Sequence, residues 1–193
     1  GGAHWTNVTP KGLPQNTKIS SIDPSAHEDG VAYVAANRIK LDDNHPYLWK
    51  TVDFGAHWVQ IQANLPDTEP ARVLREDPAK QGLLFVGTER AVYFSPDAGH
   101  AWEKLSLNLP MVPVRDLTFK DGDLIAATHG RAFYIMDNIS SLEQMSDKVM
   151  ASDAYLFKPE NQYREGGRGG FGGFGRGGRG GDPTTAVDPS GQN

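Results

Sequence analysis

Three residues that could bind a ligand or transfer a proton occupy equivalent positions in successive repeats of this sequence. Arg38, Glu89 and His129 each follow a short apolar stretch that ends in small residues. Arg90 lies directly beyond the second of them, and Arg131 lies two positions beyond the third. An acid, a base and guanidinium groups brought together could hold a carboxylate, a sugar or a peptide end. The alternative is a set of structural ion pairs between neighbouring elements, and the residue types alone do not choose between the two.

A second group of candidate residues lies between Arg38 and Tyr47, in a stretch about nine residues longer than its counterpart in the following repeat. Asp42, Asp43 and His45 are types that bind metals, but their spacing matches no calcium-binding loop. We therefore expect a solvated loop there, no metal site and no cofactor. The chain has no Cys, which excludes a disulfide framework, a Cys-zinc site and a Cys nucleophile.

Repeats are the elements that must position these side chains. A turn of the pattern Ser/Thr-x-Asp-x-Gly, followed by Trp and then by Leu-Pro, occurs twice. A partial copy, Gly2-Ala-His-Trp5, precedes them, and a copy broken at Asp137 follows. We expect the Asp to accept hydrogen bonds from backbone N–H groups of its own turn and the Gly to supply conformational freedom. These turns are therefore predicted to have a structural role. Their residues are Asp53, Gly55 and Trp58 in the first copy, and Asp97, Gly99 and Trp102 in the second.

Each complete repeat contains four short strand candidates separated by turn signals. A period of about 40 to 50 residues with four strands per repeat predicts an all-β protein of the β-propeller type. We expect about two complete four-stranded blades plus partial ones, with residues 5–8 as the strand of a partial blade. The predicted domains are the blades (1–140), an exit segment (141–164) and a disordered, flexible Gly/Arg-rich tail (165–193).

With its repeats aligned, the chain resembles the C-terminal portion of an Asp-box (BNR-repeat) propeller. It is most similar to bacterial exported propeller proteins of the glycosyl-hydrolase-like and sortilin-like groups, although Ala91 stands where those proteins usually have Gly. The resemblance implies a secreted or periplasmic location and the remaining blades of the same parent protein as partners. The segments that carry it include Val31-Ala-Tyr-Val-Ala-Ala-Asn-Arg38, Thr51-Val-Asp-Phe-Gly55, Glu76-Asp-Pro78, Asn108-Leu-Pro-Met-Val-Pro-Val-Arg-Asp116 and Thr128-His-Gly-Arg131.

Three functions remain open. The first is a binding or scaffold module that holds a carbohydrate or peptide ligand at the propeller mouth, around Arg38, Glu89 and His129. The second is a glycoside hydrolase of the sialidase or xyloglucanase type, with its main catalytic residues on other blades. Hydrolysis needs two facing carboxyl groups, and only Glu89 with Asp42 or Asp43 offers such a pair here.

The third function, RNA association, would rest on the Arg-Gly-Gly character of the tail. The net charge of −5 gives no basic field, so no nucleic-acid partner is expected. No apolar run reaches the roughly 18 residues of a membrane-spanning helix, so no membrane span is expected in this segment.

Overall fold

The computed structural model describes residues 2–105 and 107–159. They form three antiparallel sheets in which each strand pairs with its neighbour in the chain. Sheet 1 contains β1 (Lys18–Pro24), β2 (Ala32–Arg38), β3 (Asp43–Thr51) and β4 (Val59–Gln60). Sheet 2 contains β5 (Ala71–Glu76), β6 (Leu84–Thr88), β7 (Val92–Ser95) and β8 (Glu103–Lys104). Sheet 3 contains β9 (Val114–Lys120), β10 (Asp123–Thr128) and β11 (Phe133–Met136).

Helices are few and short in the described part of the chain. A 3-10 helix (Ile39–Leu41) links β2 to β3, and α1 (Ser140–Glu143) and α2 (Asp147–Met150) follow sheet 3. None of them is long and apolar enough to cross a membrane. The predicted all-β class is confirmed, with two complete four-stranded sheets and a partial one. The tail predicted at 165–193 lies outside the described residues, and the boundaries at 140 and 164 stay predictions.

The apolar core lies between the sheets and is divided in two by sheet 2. Side chains alternate between the two faces of a strand. Leu84 and Val86 therefore pack towards sheet 1, whereas Leu83 and Phe85 pack towards sheet 3. All four are fully buried. Burial on both faces explains why this stretch reads as a continuous apolar run.

A polar network also ties the first strands of the three sheets together. Arg75 on β5 pairs with Asp23 of sheet 1 at 3.4 Å and with Asp116 of sheet 3 at 2.9 Å. The buried carboxylate of Glu76 accepts a hydrogen bond from the Tyr33 hydroxyl at 2.9 Å. Contacts of β5 with β1 and β2, and of β9 with β5 and β6, complete the stacking. Sheet 2 therefore packs against sheet 1 on one face and against sheet 3 on the other.

Two predicted elements differ from the structure. The stretch from Ile39 to Pro46 is a loop only in its first part, because β3 already begins at Asp43 and extends the β2–β3 pair. Asp42 does lie in the turn, with φ of 59°. The second difference concerns residues 5–8, which form no strand. They have no neighbouring strand to complete their hydrogen bonding among the described residues.

Sheets 1 and 3 each keep one apolar face that no described sheet covers. On sheet 1, a cavity of about 540 Å³ opens between β1, β2 and the segment 6–10. Ile22 borders it and is 63% exposed. On sheet 3, Phe133 and Ile135 are 72% and 58% exposed. Sheet 2 lies between the other two and is the best buried.

Candidate functional site

The turns and connections of the sheets divide between two edges, because neighbouring strands run in opposite directions. We call one the repeat-turn edge, since it carries the Ser/Thr-x-Asp-x-Gly turns. Its segments are 24–31, 51–58, 76–83 and 95–102. We call the other the crossing edge, since the chain passes from sheet to sheet there. Its segments are the hairpins 38–43, 88–91 and 128–132 and the crossings 61–70 and 107–113.

The two turns of the repeat-turn edge have the same hydrogen bonds. Thr51 Oγ1 donates to Asp53 Oδ1 at 2.9 Å, and the Gly55 N–H donates to Thr51 Oγ1 at 2.9 Å. The His57 N–H donates to Asp53 Oδ1 at 2.8 Å. Each of these bonds recurs in sheet 2 among Ser95, Asp97, Gly99 and Ala101. Both Asp side chains are therefore engaged within their own turns.

The same turns also bind the element that precedes their sheet. Trp58 donates its indole N–H to the carbonyl of Val8, and Trp102 donates to that of Ile61, both at 2.7 Å. The two acceptors lie three residues after Trp5 and Trp58, so the contact is repeated in register. Sheet 1 is thus fastened to segment 5–8 in the way that sheet 2 is fastened to sheet 1.

The carboxylates of these turns are stabilised in their charged form. The His57 backbone N–H, followed by its imidazole, lowers the pKa of Asp53 from its ordinary value to about 2. For Asp97, burial raises the pKa, but bonds from Ser95 and from the Ala101 N–H outweigh it and the net shift is downward. Neither group is suited to act as a general acid near neutral pH. The geometry and the charge state of this edge both point to a structural role.

On the crossing edge, sheet 1 has a compact cluster around Asp43. Arg38 pairs with Asp43 at 2.6 Å, and the Tyr47 hydroxyl donates to the same oxygen at 2.8 Å. Burial raises the pKa of Asp43, but hydrogen bonds from Tyr47, the His45 N–H and Arg38 together lower it. His45 Nδ1 lies 2.8 Å from Asp67 Oδ1 on the next crossing segment. Arg38 and Asp43 therefore join the two strands of the long hairpin, and His45 connects it to the crossing segment.

Glu89 is likewise engaged within its own sheet, where it forms an ion pair with Arg72 of β5. His129 and Arg131 are exposed, and the His129 backbone N–H donates to the carbonyl of Pro113 at 2.8 Å. Within residues 2–105 and 107–159, no hydrogen bond or ion pair joins Arg38, Glu89 and His129 to one another. The same part of the chain contains no cluster of three potential metal ligands.

A cleft on the crossing edge of sheet 2 brings a buried carboxylate close to two cationic side chains. Its volume is about 370 Å³. Glu69 on the crossing segment is only 8% exposed and lines the cleft. Its carboxylate accepts a hydrogen bond from Thr88 Oγ1 at 2.8 Å. The other lining residues include Arg90, Lys104, Leu107, Leu109 and Met111.

Glu69 is a buried acid without a salt bridge in the described part of the chain. Its second hydroxyl neighbour is Tyr93, whose pKa is raised to about 12 by burial and then by the Glu69 carboxylate. Arg90 and Lys104 are exposed at the rim, and Met111 is 74% exposed. The cleft thus presents a carboxylate, two cations and an apolar wall to a ligand.

Sequence reasoning found Arg90 but missed Glu69, although a signal was present. Ala71, which pairs with Thr88, has its counterparts in Val114 and Lys18 of the other sheets. Two residues before these positions lie Glu69, Val112 and Asn16. An acid therefore occurs in only one of three equivalent places, immediately before Pro70. This irregularity in a repeat was visible in the sequence.

Comparison with solved structures identifies the class of fold as a β-propeller. A GH74 xyloglucanase from Xanthomonas campestris matches with a TM-score of 0.52 and 18% identity over 69% of this chain and 22% of that chain. A GH74 enzyme from Niastella koreensis matches with a TM-score of 0.50 and 14% identity over 62% of this chain and 21% of that chain. This chain thus spans about a fifth of the length of those enzymes.

A third structure, YCF48 bound to D1 peptide, matches with a TM-score of 0.46 and 18% identity over 65% of this chain and 39% of that chain. That likeness is too loose to bear on function. No family model and no curated protein matches the sequence. Likeness at such low identity shows the fold alone, so function must be argued from the site.

Proposed function

We propose that this chain is part of an exported β-propeller that binds a carbohydrate or protein ligand at its crossing edge. The repeat turns are Asp boxes that hold neighbouring blades together. Further sheets complete the propeller, because sheets 1 and 3 each have an uncovered apolar face. The exported location rests on the sequence resemblance. No nucleic-acid partner is part of the proposal, given the net charge of −5.

The Glu69 cleft is the observation that supports binding most directly. A buried carboxylate without a cation is costly unless hydrogen bonds compensate it, and a site with such groups prefers ligands that add donors. Sugar hydroxyls and peptide amides both supply them. Arg90 and Lys104 at the rim suit acceptor oxygens of the same ligand. Glu89, Arg38, His129 and Arg131 extend the charged surface of this edge.

A glycoside hydrolase is the second candidate, because both matched GH74 structures are enzymes and one is a xyloglucanase. The carboxylates that we weighed for this role are poorly placed for it. Glu89 is paired with Arg72, and Asp43 is paired with Arg38 and has a lowered pKa. Hydrolysis requires a carboxylic acid that stays protonated near neutral pH. Binding therefore remains the primary proposal for this segment.

A binding screen of the full 193-residue chain tests the proposal. Xyloglucan oligosaccharides, a wider glycan array and a peptide array are the probes, and hits are measured by calorimetry. Glu69→Gln and Arg90→Ala are expected to weaken binding about tenfold or more, a loss typical of truncated contacts at a site. His57→Ala on the repeat-turn edge is the matched control and should bind like wild type.

Two results would contradict the proposal. One is the absence of any ligand on both arrays, and the other is a ligand whose affinity neither cleft variant changes. Release of reducing ends from xyloglucan, abolished by Glu89→Gln, would instead support the hydrolase. The two candidates are therefore separated in a single set of measurements.

A further inference from the structure

The Glu69 cleft is built from elements around sheet 2. Its lining residues come from the crossing segments 61–70 and 107–113, from the hairpin 88–91, and from β8 with the residue that follows it. Sheet 2 packs against sheet 1 on one face and against sheet 3 on the other. The lining of the cleft therefore does not include the uncovered faces of sheets 1 and 3.

The Glu69 carboxylate accepts hydrogen bonds from two hydroxyl groups in the described part of the chain. Thr88 Oγ1 donates to Glu69 Oε2 at 2.8 Å, and Tyr93 is the second donor. A carboxylate has about four acceptor sites, so about half of this capacity remains. Hydroxyl groups also leave the negative charge uncompensated, which is costly at a residue only 8% exposed. The carboxylate therefore favours a ligand that brings a positive charge.

Arg90 and Lys104 lie beside this network but do not supply that charge. The Arg90 backbone N–H donates to Thr88 Oγ1 at 3.1 Å, and Lys104 is opposite Tyr93 in the β7–β8 pair. Neither side chain forms an ion pair within residues 2–105 and 107–159. Both are exposed, whereas Glu69 is buried. The cleft thus has its negative charge inside and its positive charges at the rim.

The rest of the cleft lining is aliphatic. Leu107 and Met111 are 57% and 74% exposed, and Leu109 lines the same cleft. Among the described residues, no aromatic side chain lines it. A sugar ring carries polar groups around its edge, and an aliphatic surface would leave them without partners. A linear aliphatic chain with a positive charge at its end is complementary both to this surface and to the buried carboxylate.

We propose that the Glu69 cleft binds a lysine side chain of a protein ligand, with an acidic residue of the same ligand at the rim. The lysine stem packs on Leu107 and Met111, and its ammonium donates to the Glu69 carboxylate. Because Glu69 Oε2 already accepts from Thr88, a compact ammonium suits the remaining acceptor sites better than the planar fork of a guanidinium. This inference rests on the proposed binding function, since it names the ligand class for the same cleft.

The rim determines which residues must flank the lysine. Arg90 and Lys104 are both cationic and line the same cleft as Glu69. They repel a ligand segment made of basic residues alone, because like charges brought together at an interface are costly. A carboxylate next to the lysine pairs with them instead. The expected ligand segment therefore combines one lysine with a neighbouring aspartate or glutamate, and a polybasic segment is disfavoured.

A comparison of two peptide series tests the buried ion pair. The probes are short fluorescent peptides that carry one central lysine and one aspartate at varied spacing from it. Each has a matched peptide with norleucine in place of lysine, which keeps the aliphatic stem and lacks the ammonium. Fluorescence anisotropy with the full 193-residue chain measures both affinities. The best lysine peptide should bind at least about tenfold more tightly than its norleucine counterpart.

Glu69→Gln completes a double-mutant cycle with these peptides. The variant keeps the side-chain length and an acceptor for Thr88 but removes the charge. It should reduce the preference for lysine over norleucine to within about twofold. A purely structural Glu69 would weaken both peptides equally and leave that preference unchanged. Met111→Ala, at a side chain 74% exposed, should instead weaken both peptides without changing the preference, because it contacts only the stem.

The rim is tested with peptides in which asparagine replaces the aspartate. The wild-type chain should prefer the aspartate peptide, and Arg90→Ala and Lys104→Ala should each reduce that preference. Lys120→Ala is the matched control, because it removes an exposed cation at the end of β9 that does not line the cleft. Circular dichroism and urea unfolding check that every variant is folded.

Several results would overturn this inference. Equal affinity of the wild-type chain for the lysine and norleucine peptides would exclude the buried ion pair without any protein variant. An unchanged lysine preference in Glu69→Gln would place the ammonium elsewhere. A glycan that binds in the cleft, is weakened by Glu69→Gln and Arg90→Ala, and has no peptide counterpart would overturn the lysine ligand but leave the proposed function intact. No ligand of either kind would overturn both.

Discussion

The repeat-turn edge and the crossing edge are built from the same strands but differ in how they use their side chains. On the repeat-turn edge, Thr51 and Ser95 make the same bonds to Asp53 and Asp97, atom for atom. On the crossing edge, each sheet is different. Sheet 1 has a long hairpin closed by an ion pair, and sheet 2 has a tight turn beside a buried acid.

This difference separates structural residues from candidate functional ones. A repeated contact holds each sheet to the one before it, so it must recur wherever two sheets meet. A ligand site needs to occur only once, and its residues are free to differ between repeats. Glu69 meets that criterion, since its counterparts are Val112 and Asn16. Irregularity within a regular array is therefore a better guide to function here than the repeated motif.

The largest expected effect is that of Gly99→Ala on the repeat-turn edge. Gly99 has φ of +94°, and a Cβ there would lie 2.7 Å from Ile61. Backbone strain and overpacking act together, so the free energy of unfolding should fall by about 3 kcal/mol. Urea denaturation at a fixed protein concentration measures it.

Gly130→Ala on the crossing edge is the matched control. Gly130 has a similar φ of +83°, but no atom lies within 4 Å of its Cβ position. Only the backbone strain remains, so the loss should be about 1 kcal/mol. Equal losses at the two glycines would show that contact between neighbouring sheets does not select Gly at the repeat turns.

The next effect in size is that of Asp97→Ala, which removes the acceptor for Ser95 Oγ and for the Ala101 N–H. A loss of about 1 to 2 kcal/mol is expected, as for other side chains that satisfy turn or cap N–H groups. Asp97→Asn keeps an acceptor oxygen and should recover part of the loss in thermal and urea unfolding. If Asn is as destabilising as Ala, the carboxylate charge rather than the hydrogen-bond geometry matters.

Much of this fold was predictable because it depends on local rules. Apolar runs such as Leu83-Leu-Phe-Val and the recurring turn residues predict the strands and their order. The extension of β3 to Asp43 was not predictable, since it depends on Arg38 and Tyr47 closing on one carboxylate. The Glu69 cleft was missed because its burial arises from the packing of a crossing segment on β6 and β7. Burial of that kind leaves little trace in spacing, and the visible signal was only that an acid stands at position 69 where the other repeats have Val112 and Asn16.

A smaller effect should appear in acid, at the first repeat turn. The pKa of Asp53 is lowered to about 2 from an ordinary value of 3.8. Its ionised form therefore stabilises the fold above about pH 4, and this stabilisation is lost as the pH falls through about 2. Carbon-detected NMR titration should show Asp53 ionising near that value. Asp53→Asn should flatten the fall in stability over this window. An ordinary titration of Asp53 near 3.8 would contradict the hydrogen bonds from His57.

The smallest effect on stability should come from Arg90→Ala, which tests the crossing edge directly. Arg90 is exposed at the rim of the cleft and joins no ion pair in the part of the chain that the structure describes. Such surface changes usually alter the free energy of unfolding by less than about 0.5 kcal/mol. Ligand affinity, by contrast, should fall about tenfold, because the guanidinium faces the same space as Glu69. Calorimetry and urea unfolding on the same preparation measure both quantities. A large loss of stability without loss of binding would make the crossing edge structural as well, and the contrast between the two edges would disappear.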